Sequence, residues 1–302
     1  MRATRQPTTD GAVNVSEYPG RPIVKRPLWT WEVPAYFFVG GLAGAAATLA
    51  AVAEVAGEHQ LARRARLAAA AGALVGAPLL ISDLGRPERF LNMLRVFRPT
   101  SPMSIGTWTL ATFGSSAALS VAGDLIGVAR PLGRLAGVVA GILGPVLTTY
   151  TGVLVGQTSV PVWERARAWL PFLFAGSSAA SAGALVAATV DPPAARPAQL
   201  MAVGGAVAEA LSELAMERSL GEAGVVYRTG RPGRFRRLAL ELSLAGAGLV
   251  AAGLAGSGRR RLTLLGCGAV LAGSLSQRIA IWAAGPASAA RTGVDPDGRG
   301  PR

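Results

Sequence analysis

The stretch VPAYFFVGGLAGAAATLAAVA, residues 33–53, contains no charged side chain, and it is the first of several such runs along the chain. A helix of about 20 predominantly apolar residues spans the roughly 30 Å hydrocarbon core of a bilayer. Long uncharged runs recur at residues 103–123, 135–163 and 168–190, and shorter ones at residues 67–82, 242–258 and 262–277. The shorter runs reach spanning length if arginines at their ends extend toward the headgroups. The pattern predicts a polytopic, all-α membrane protein.

An eighth segment, residues 197–220, is less apolar because it contains three glutamates. Counting it gives eight transmembrane helices. A soluble helical bundle is the alternative, but its helices would carry a charged face opposite an apolar stripe. These runs are uncharged on all sides, and a helix satisfies its own backbone hydrogen bonds in lipid, which favours the membrane protein. Glycines spaced four apart, such as Gly40 and Gly44, indicate close helix packing.

The charge balance supports the same fold class. The 302 residues include 30 Lys and Arg against 17 Asp and Glu, a net charge of +13, with 51% hydrophobic residues and a mean hydropathy of +0.39. A nucleic-acid-binding protein concentrates its basic residues on one patch of a polar fold. Here the basic residues separate apolar runs, so we expect membrane lipid around the protein and no nucleic acid as a partner.

Cysteine and histidine are too few for a redox metal. The chain has one histidine, His59, and one cysteine, Cys267. Paired axial histidines for a b-type haem and four thiolates for an iron–sulfur cluster are therefore both lacking. The sequence predicts no haem and no iron–sulfur cluster in this chain. His59 fits a loop residue, and Cys267 fits a small residue in a helix core.

Lysine and arginine are divided unequally between the two ends of the helices. With eight spans, twenty of these residues fall at one face and nine at the other. Connections rich in Lys and Arg tend to remain cytoplasmic. We therefore predict a multi-pass protein of the cell membrane whose polar tails, residues 1–30 and 286–302, both lie in the cytoplasm.

A basic segment, DLGRPERFLNMLRVFRPTSP, residues 83–102, interrupts the apolar runs. Its large apolar side chains are Phe90, Leu91, Leu94 and Phe97, and its arginines are Arg86, Arg89, Arg95 and Arg98. On a helix these two sets would lie on different faces, which predicts an amphipathic helix at the membrane surface. The alternative is a cytoplasmic loop whose arginines reflect only the tendency of Lys- and Arg-rich connections to remain inside the cell.

Three stretches together resemble a known family. They are WTWEVPAYFFVGGLAGA at the first helix, DLGRPERFLNMLRVFRPTSPMSIGTW after the second, and YTGVLVGQTSVPVW at the end of the fourth. These stretches are similar to the NrfD/PsrC-type membrane subunits of polysulfide reductase, nitrite reductase and related molybdopterin oxidoreductases. The resemblance covers about residues 29–163, and beyond them it rests mainly on the helix count.

The resemblance implies an architecture and partners. It implies eight helices in two four-helix bundles, residues 31–163 and 164–285, with a quinone, menaquinone or ubiquinone, in or beside the first bundle. It implies electron exchange with a ferredoxin-like iron–sulfur subunit, which in turn serves a molybdopterin catalytic subunit. The family's membrane subunit carries no metal, in agreement with the missing ligands.

The resemblance also bears on where the partner docks. The candidate docking strip for the iron–sulfur subunit consists of Arg86, Arg89, Arg95 and Arg98. Rim charges of this kind mainly set association rate and salt sensitivity. Several complexes of the family hold their soluble subunits outside the cytoplasm, whereas the distribution of basic residues here places the face with this strip inside.

The candidate quinone ligands follow from the same resemblance. Tyr150 matches the family's helix 4 tyrosine, a donor to a quinone carbonyl, with a tyrosine of the interfacial aromatic belt as the alternative. The family often carries amide or imidazole groups at the start of helix 1, where this chain has Trp31, Glu32 and Tyr36. Glu32 also fits a solvated residue at a helix start, favoured by the dipole. Asp83 ends helix 2 near the same membrane face.

Glutamates recur every four residues along the sixth span, at Glu209, Glu213 and Glu217. A charged carboxylate inside a membrane costs on the order of a few kcal/mol, so such residues face a bundle interior or water and often mark proton paths. Glu54 and Asp124, nearer the opposite face, would extend a path through Glu209 and Glu213. The alternative is that these glutamates only pair with residues such as Arg278.

Two other function classes compete. An ion- or proton-coupled secondary transporter is also polytopic and glycine-rich, and its signature is broken helices in corresponding positions of two halves. Residues 31–157 and 168–285 show no convincing repeat. A purely structural anchor shares the fold but needs neither Tyr150 nor buried carboxylates.

The orientation leads to a direct prediction. Reporter fusions placed after Arg98 and after Arg302 should both report a cytoplasmic location, because the face with more Lys and Arg stays inside. An extracytoplasmic signal from both fusions would contradict the orientation and move the partner across the membrane.

Overall fold

The computed structural model describes residues 27, 29–84, 86, 88–127, 130–255 and 259–291, and all regular structure within them is helical. The helices are α1 (Glu32–Val55), α2 (His59–Asp83), α3 (Glu88–Met93), α4 (Pro102–Ile126), α5 (Arg130–Gly156), α6 (Pro161–Arg165), α7 (Leu170–Thr189), α8 (Arg196–Leu220), α9 (Val225–Arg228), α10 (Gly230–Leu254) and α11 (Arg260–Arg291). A 3-10 turn, Gly221–Gly224, precedes α9. Most of both predicted tails lies outside the described residues.

Seven helices in the described part of the chain are long and apolar enough to cross a membrane: α1, α2, α4, α5, α7, α10 and α11. The prediction of an all-α membrane protein with several spans is confirmed to this extent. Helix α8 has 25 residues but does not meet the same test of composition, because it carries charged residues. Large apolar side chains such as Leu74, Ile142 and Leu211 remain 76%, 69% and 62% exposed, which suits a surface in contact with lipid.

Helix boundaries differ from the limits of the apolar runs in two places. The run at residues 135–163 is interrupted, since α5 ends at Gly156 and α6 begins at Pro161. Val160 has an extended backbone (φ −75°, ψ 118°), because a proline disfavours the helical conformation in the residue before it. Helix α11 continues to Arg291, well past the apolar run, and Arg278, which ends that run, is accommodated inside the protein by hydrogen bonds to Phe174 and Ser178.

The predicted amphipathic helix of the basic segment is shorter than expected. Helix α3 ends at Met93, and a turn at residues 94–95 is followed by chain without regular structure, so the helical prediction is wrong for residues 94–97. Pro99 cannot continue a helix, and so short a helix has little stability of its own. Leu91 and Phe97 are nevertheless 65% and 59% exposed.

The long helices pack as two groups of neighbours. In the first group, α1 and α4 each pack on α2 and α5; in the second, α7 and α10 each pack on α8 and α11. Helix α7 also packs on α1 and α5 and thereby joins the groups. The short connections between α1 and α2, between α4 and α5, and between α10 and α11 make each of these pairs antiparallel neighbours.

Glycine allows α1 and α5 to touch through their backbones. A Cβ atom on Gly144 would lie 2.3 Å from the carbonyl oxygen of Gly44 and from Thr48 Oγ1, and a Cβ atom on Gly44 would lie 2.7 Å from the carbonyl oxygen of Gly144. Thr48 Oγ1 donates to the carbonyl oxygen of Gly141, 3.2 Å away, across the same contact. Backbone atoms cannot rotate away, so a side chain here would force the helices apart.

This contact predicts opposite effects for two glycine substitutions. Gly144→Ala should lower the free energy of unfolding by about 1 to 3 kcal/mol, the usual cost of overpacking. Gly248→Ala, in α10 with nothing within 4 Å of the added Cβ atom, should be neutral or raise it by up to about 1 kcal/mol through helix propensity. Thermal unfolding of both variants in detergent measures the difference, and equal stability would contradict the close approach of α1 and α5.

Candidate functional site

A cavity of about 100 Å³ lies where α1 and α4 begin and where α2 and α5 end. Its walls are formed by Trp29, Val33, Tyr36, Phe37, Leu80, Asp83, Leu84, Phe90, Met93, Met103, Thr107, Tyr150 and Leu154. Most of these side chains are aromatic, aliphatic or thioether groups. The few polar groups among them determine what the cavity can recognise.

Two tyrosine hydroxyls meet at the wall of this cavity. Tyr36 of α1 and Tyr150 of α5 are 1% and 8% exposed, and their hydroxyl groups form a hydrogen bond with each other. A phenol can donate one hydrogen bond and also accept one. Within the pair one hydroxyl donates to the other, so the accepting hydroxyl keeps its own proton for a further partner. Neither hydroxyl forms another hydrogen bond within the described part of the chain.

The ring of Tyr150 occupies space left open by a glycine of α4. A Cβ atom on Gly106 would lie 2.3 Å from a ring carbon of Tyr150. The absence of a side chain at this position thus allows the ring to lie directly against α4. Sequence reasoning missed Gly106, because nothing in the spacing of the glycines links it to a tyrosine on another helix.

Asp83 joins the end of α2 to the segment before α1. Its Oδ1 atom accepts hydrogen bonds from the Thr30 backbone N–H (3.3 Å) and the Thr30 hydroxyl (2.9 Å). Asp83 is half-buried and lines the cavity, whereas Thr30 is exposed. The carboxylate therefore connects the cavity wall with the protein surface.

The structure does not bring Trp31 and Glu32 into the cavity wall. Trp31 is 65% exposed, and Glu32, the first residue of α1, has a buried Oε2 atom with no hydrogen-bond partner among the described residues. Trp29 lines the cavity instead. Its position depends on contacts with residues far along the chain, which a short motif does not reveal.

Trp29 belongs to an aromatic cluster that extends from the cavity toward the second group of helices. Its ring stacks on Trp163, with centroids 5.1 Å apart and planes at 20°, and meets Phe37 edge-on at 6.2 Å. Phe37 in turn lies 5.6 Å from Phe174. The Trp163 indole N–H donates to the Ile281 carbonyl oxygen, 2.8 Å away. The cavity wall is thus fixed from both groups of helices.

The four arginines of the candidate docking strip are all exposed: Arg86, Arg89, Arg95 and Arg98. The Arg89 guanidinium donates to the Leu84 carbonyl oxygen, 3.2 Å away. None of the four forms an ion pair with a carboxylate in the described part of the chain. The same segment supplies Phe90 and Met93 to the cavity wall, so the basic surface and the cavity are adjacent.

The predicted carboxylates of the proton path fall into two separate clusters. At the end of the first group of helices opposite the cavity, Arg66 Nη1 lies 3.1 Å from Glu54 Oε2, and Arg66 Nε lies 2.8 Å from Asp124 Oδ2. In the second group, Arg236 lies 2.9 Å from Glu213. No hydrogen bond or ion pair within the described residues connects the two clusters.

Glu209 is the most deeply buried of the three α8 glutamates. It is 3% exposed, its Oε2 atom accepts a long hydrogen bond from the Ser243 hydroxyl (3.5 Å), and its Oε1 atom has no partner among the described residues. Arg278 is 1% exposed and donates to the Phe174 carbonyl oxygen (2.8 Å) and the Ser178 hydroxyl (3.0 Å). Glu209 and Arg278 are not within ion-pair distance, and of the arginines that the alternative interpretation requires, it is Arg236 that pairs with Glu213.

Comparison with known protein families shows the family of this chain. The family described as polysulphide reductase, NrfD, matches residues 23–226. The chain belongs to the NrfD family. Proteins of the NrfD family are generally membrane anchor subunits of oxidoreductases and typically pair with iron–sulfur and molybdopterin subunits. No curated protein matches the chain.

The NrfD match contains the whole candidate site. It runs from before α1 to α9 and includes Tyr36, Asp83 and Tyr150, together with the glutamates of α8. The resemblance inferred from the three sequence stretches is confirmed, and it extends beyond residue 163. Helices α10 and α11, with Arg236 and Arg278, follow the matched residues.

Proposed function

We propose that this NrfD-family protein is the quinone-reactive membrane anchor of a multi-subunit oxidoreductase. It would exchange electrons between a membrane quinone, menaquinone or ubiquinone, and a ferredoxin-like iron–sulfur subunit that serves a molybdopterin catalytic subunit. The observation that carries the proposal is the buried hydroxyl pair of Tyr36 and Tyr150 at the wall of an apolar cavity.

The chemistry of the cavity fits a quinone ring. Aromatic and methionine side chains form much of the apolar wall, and the unused proton of the tyrosine pair can be donated to a carbonyl oxygen. The cavity of about 100 Å³ is smaller than the roughly 300 to 1,000 Å³ of pockets that enclose drug-sized ligands. It therefore suits a ring alone, with the isoprenoid chain left among the lipid tails.

A bound quinone supplies two-electron chemistry coupled to protons. The tyrosine pair orients the ring and donates to its oxygen, and such hydrogen bonds are stronger in a dry cavity than in water. A donor fixed in advance stabilises negative charge that develops on that oxygen. Asp83 can hold a proton between the cavity and the surface, because its carboxylate lies beside the exposed Thr30 hydroxyl.

The exposed arginine strip supports docking of the iron–sulfur subunit at the same end of the helices. Four guanidinium groups without carboxylate partners in the described part of the chain attract an acidic surface. Phe90 and Met93 belong to the same segment and line the cavity. A subunit bound here would therefore place its cluster near the quinone.

The eight long helices suit eight membrane spans in two four-helix bundles, with α8 as the additional span. Its charges are partly neutralised, since Arg236 lies 2.9 Å from Glu213 and 3.2 Å from Glu217, and Arg228 lies 2.7 Å from Glu217. Paired carboxylates that face a bundle interior are the form in which membrane helices tolerate charge. The excess of arginine at the cavity end favours a cytoplasmic location for that end.

Proton conduction is a second candidate function, favoured by unpartnered polar atoms inside the second group of helices. Among the described residues, Glu209 Oε1, Ser177 Oγ and the Nε and Nη1 atoms of Arg278 are buried without hydrogen bonds. Buried polar atoms are nearly always satisfied, often by ordered water. Water at these atoms would connect Glu209 with Glu213. Glu54 and Asp124 would then serve a separate route at the opposite face.

The two competing functions receive less support. A secondary transporter of the inverted-repeat type uses discontinuous helices at its binding site, whereas the long helices described here are continuous. A purely structural anchor gives no reason to bury two tyrosine hydroxyls beside a cavity, because a buried polar group carries a desolvation cost.

The function is tested by removing one hydroxyl. Tyr150→Phe leaves a quinone carbonyl oxygen without a hydrogen-bond donor in a dry cavity, at a cost of about 1 to 3 kcal/mol. This cost corresponds to roughly five- to 150-fold in affinity or rate. Electron transfer between a quinone analogue and the assembled complex should fall by that factor. Activity of the catalytic subunit with a soluble dye, which bypasses the membrane, should stay intact.

Tyr227→Phe is the matched control. Tyr227 is also buried, and its hydroxyl has no hydrogen-bond partner among the described residues, but it lies in α9 away from the cavity. This variant should retain both activities. Full quinone-linked activity in Tyr150→Phe would remove the Tyr150 hydroxyl from the mechanism and contradict its proposed role as a donor.

Partner docking is tested by reversing charge on the strip. The double variant Arg95→Glu, Arg98→Glu should weaken co-purification of the iron–sulfur subunit, most strongly at low salt, where charges are least screened, while the protein remains in the membrane. Arg63→Glu with Arg64→Glu makes the same change at exposed positions of the opposite face and should leave co-purification unchanged. Equal co-purification of both double variants would indicate that the four arginines only set the orientation of the protein in the membrane and do not bind the iron–sulfur subunit.

A further inference from the structure

A second, larger cavity lies at the same end of the molecule as the first and shares no residue with it. It measures about 600 Å³ and lies between the end of α11 and the turn before α10. Thr229, Arg231, Trp282, Pro286 and Arg291 are among its lining residues. Nearly all of the lining follows residue 226, where the NrfD match ends, so this groove is a feature of the chain beyond the matched region.

The length of α11 places this groove at the depth of lipid headgroups. Arg260 fixes the start of the helix at the opposite face, where it donates to the carbonyl oxygens of Ala187 and Ala188 at 2.9 and 2.7 Å. At 1.5 Å per residue, about 20 residues cross the roughly 30 Å of hydrocarbon. Helix α11 has 32 residues. Its last turns, which carry Trp282 and Arg291, therefore stand beyond the hydrocarbon core.

The groove combines positive charge with apolar walls. The Arg231 guanidinium lies 5.7 Å from the Trp282 ring and 5.8 Å from the Phe235 ring. Arg231 and Arg291 are both exposed, and neither forms an ion pair or a side-chain hydrogen bond in the described part of the chain. Three alanines and a proline of α11 form much of the remaining wall, and Val226, Thr229, Gly230 and Pro232 complete it. A ligand that matches these features needs a negative headgroup and an adjoining apolar part.

We propose that this groove binds an anionic phospholipid, with its phosphate held by Arg231 and Arg291 and its glycerol and upper acyl chain against α11. Trp282 connects the groove to the rest of the protein, because its indole N–H donates to the Trp29 carbonyl oxygen, 3.0 Å away. Trp29 stacks on Trp163 and lines the first cavity. An occupied groove therefore stabilises the segment before α1, and this stabilisation is measurable without any partner subunit.

The wild-type protein alone provides the first test. Purified in detergent, it should bind phosphatidylglycerol in native mass spectrometry and gain thermal stability on its addition, with a much smaller effect of phosphatidylcholine. Inorganic phosphate at the same concentration should have no effect. Equal binding of both lipids, or equal stabilisation by inorganic phosphate, would overturn the proposal, the latter in favour of a free-anion site.

Charge-neutral variants provide the second test. Each basic residue near a membrane surface contributes about 1 kcal/mol, so Arg231→Gln should weaken phosphatidylglycerol binding about fivefold and the double variant with Arg291→Gln about 30-fold. Arg234→Gln with Arg237→Gln removes the same charge from exposed positions outside the groove and should bind like the wild type. Equal weakening in both double variants would overturn the assignment to this groove. Loss of a partner subunit, without any change in lipid binding, would assign the groove to protein docking instead.

Discussion

The backbone contact between α1 and α5 at Gly44 and Gly144 sets the register on which the candidate site depends. The helices are antiparallel, and from this contact Tyr36 lies about two turns toward the start of α1 while Tyr150 lies nearly two turns toward the end of α5. The two hydroxyls therefore meet, because the backbones cannot slide without a clash between main-chain atoms. The cavity lies beside this pair of hydroxyls, at the start of α1 and the end of α5.

The second constraint is that charge inside a membrane must find a partner. Arg66 meets Glu54 and Asp124, and Arg236 meets Glu213. Arg278 is different: its guanidinium lies 3.8 Å above the Phe174 ring and keeps two nitrogen atoms without partners in the described part of the chain. Phe174 contacts Phe37 of the cavity wall. A buried positive charge is thus packed, through two aromatic rings, against the site where the proposed function develops negative charge.

The sequence was informative where a signal is local. Uncharged runs predict the helices because lipid excludes unpaired charge over a length that can be counted, and family motifs led to Tyr36, Asp83 and Tyr150, which the structure brings to one cavity. Trp29 and Gly106 could not be found in this way. Trp29 depends on Trp163 and Trp282, and Gly106 on the ring of Tyr150, and no pattern within one helix encodes a contact between distant segments. Local sequence likewise did not predict the early end of α3.

The claim that a quinone ring binds beside Tyr36 and Tyr150 is tested most directly by photoaffinity labelling. A photoreactive quinone analogue, activated in membranes and followed by mass spectrometry of peptides, should label the segment with Phe90, Met93 and Met103, and excess unlabelled quinone should abolish that labelling. Competed labelling confined to residues 226–291, around the lipid groove, would contradict the account, as would labelling of the cavity that excess quinone does not reduce.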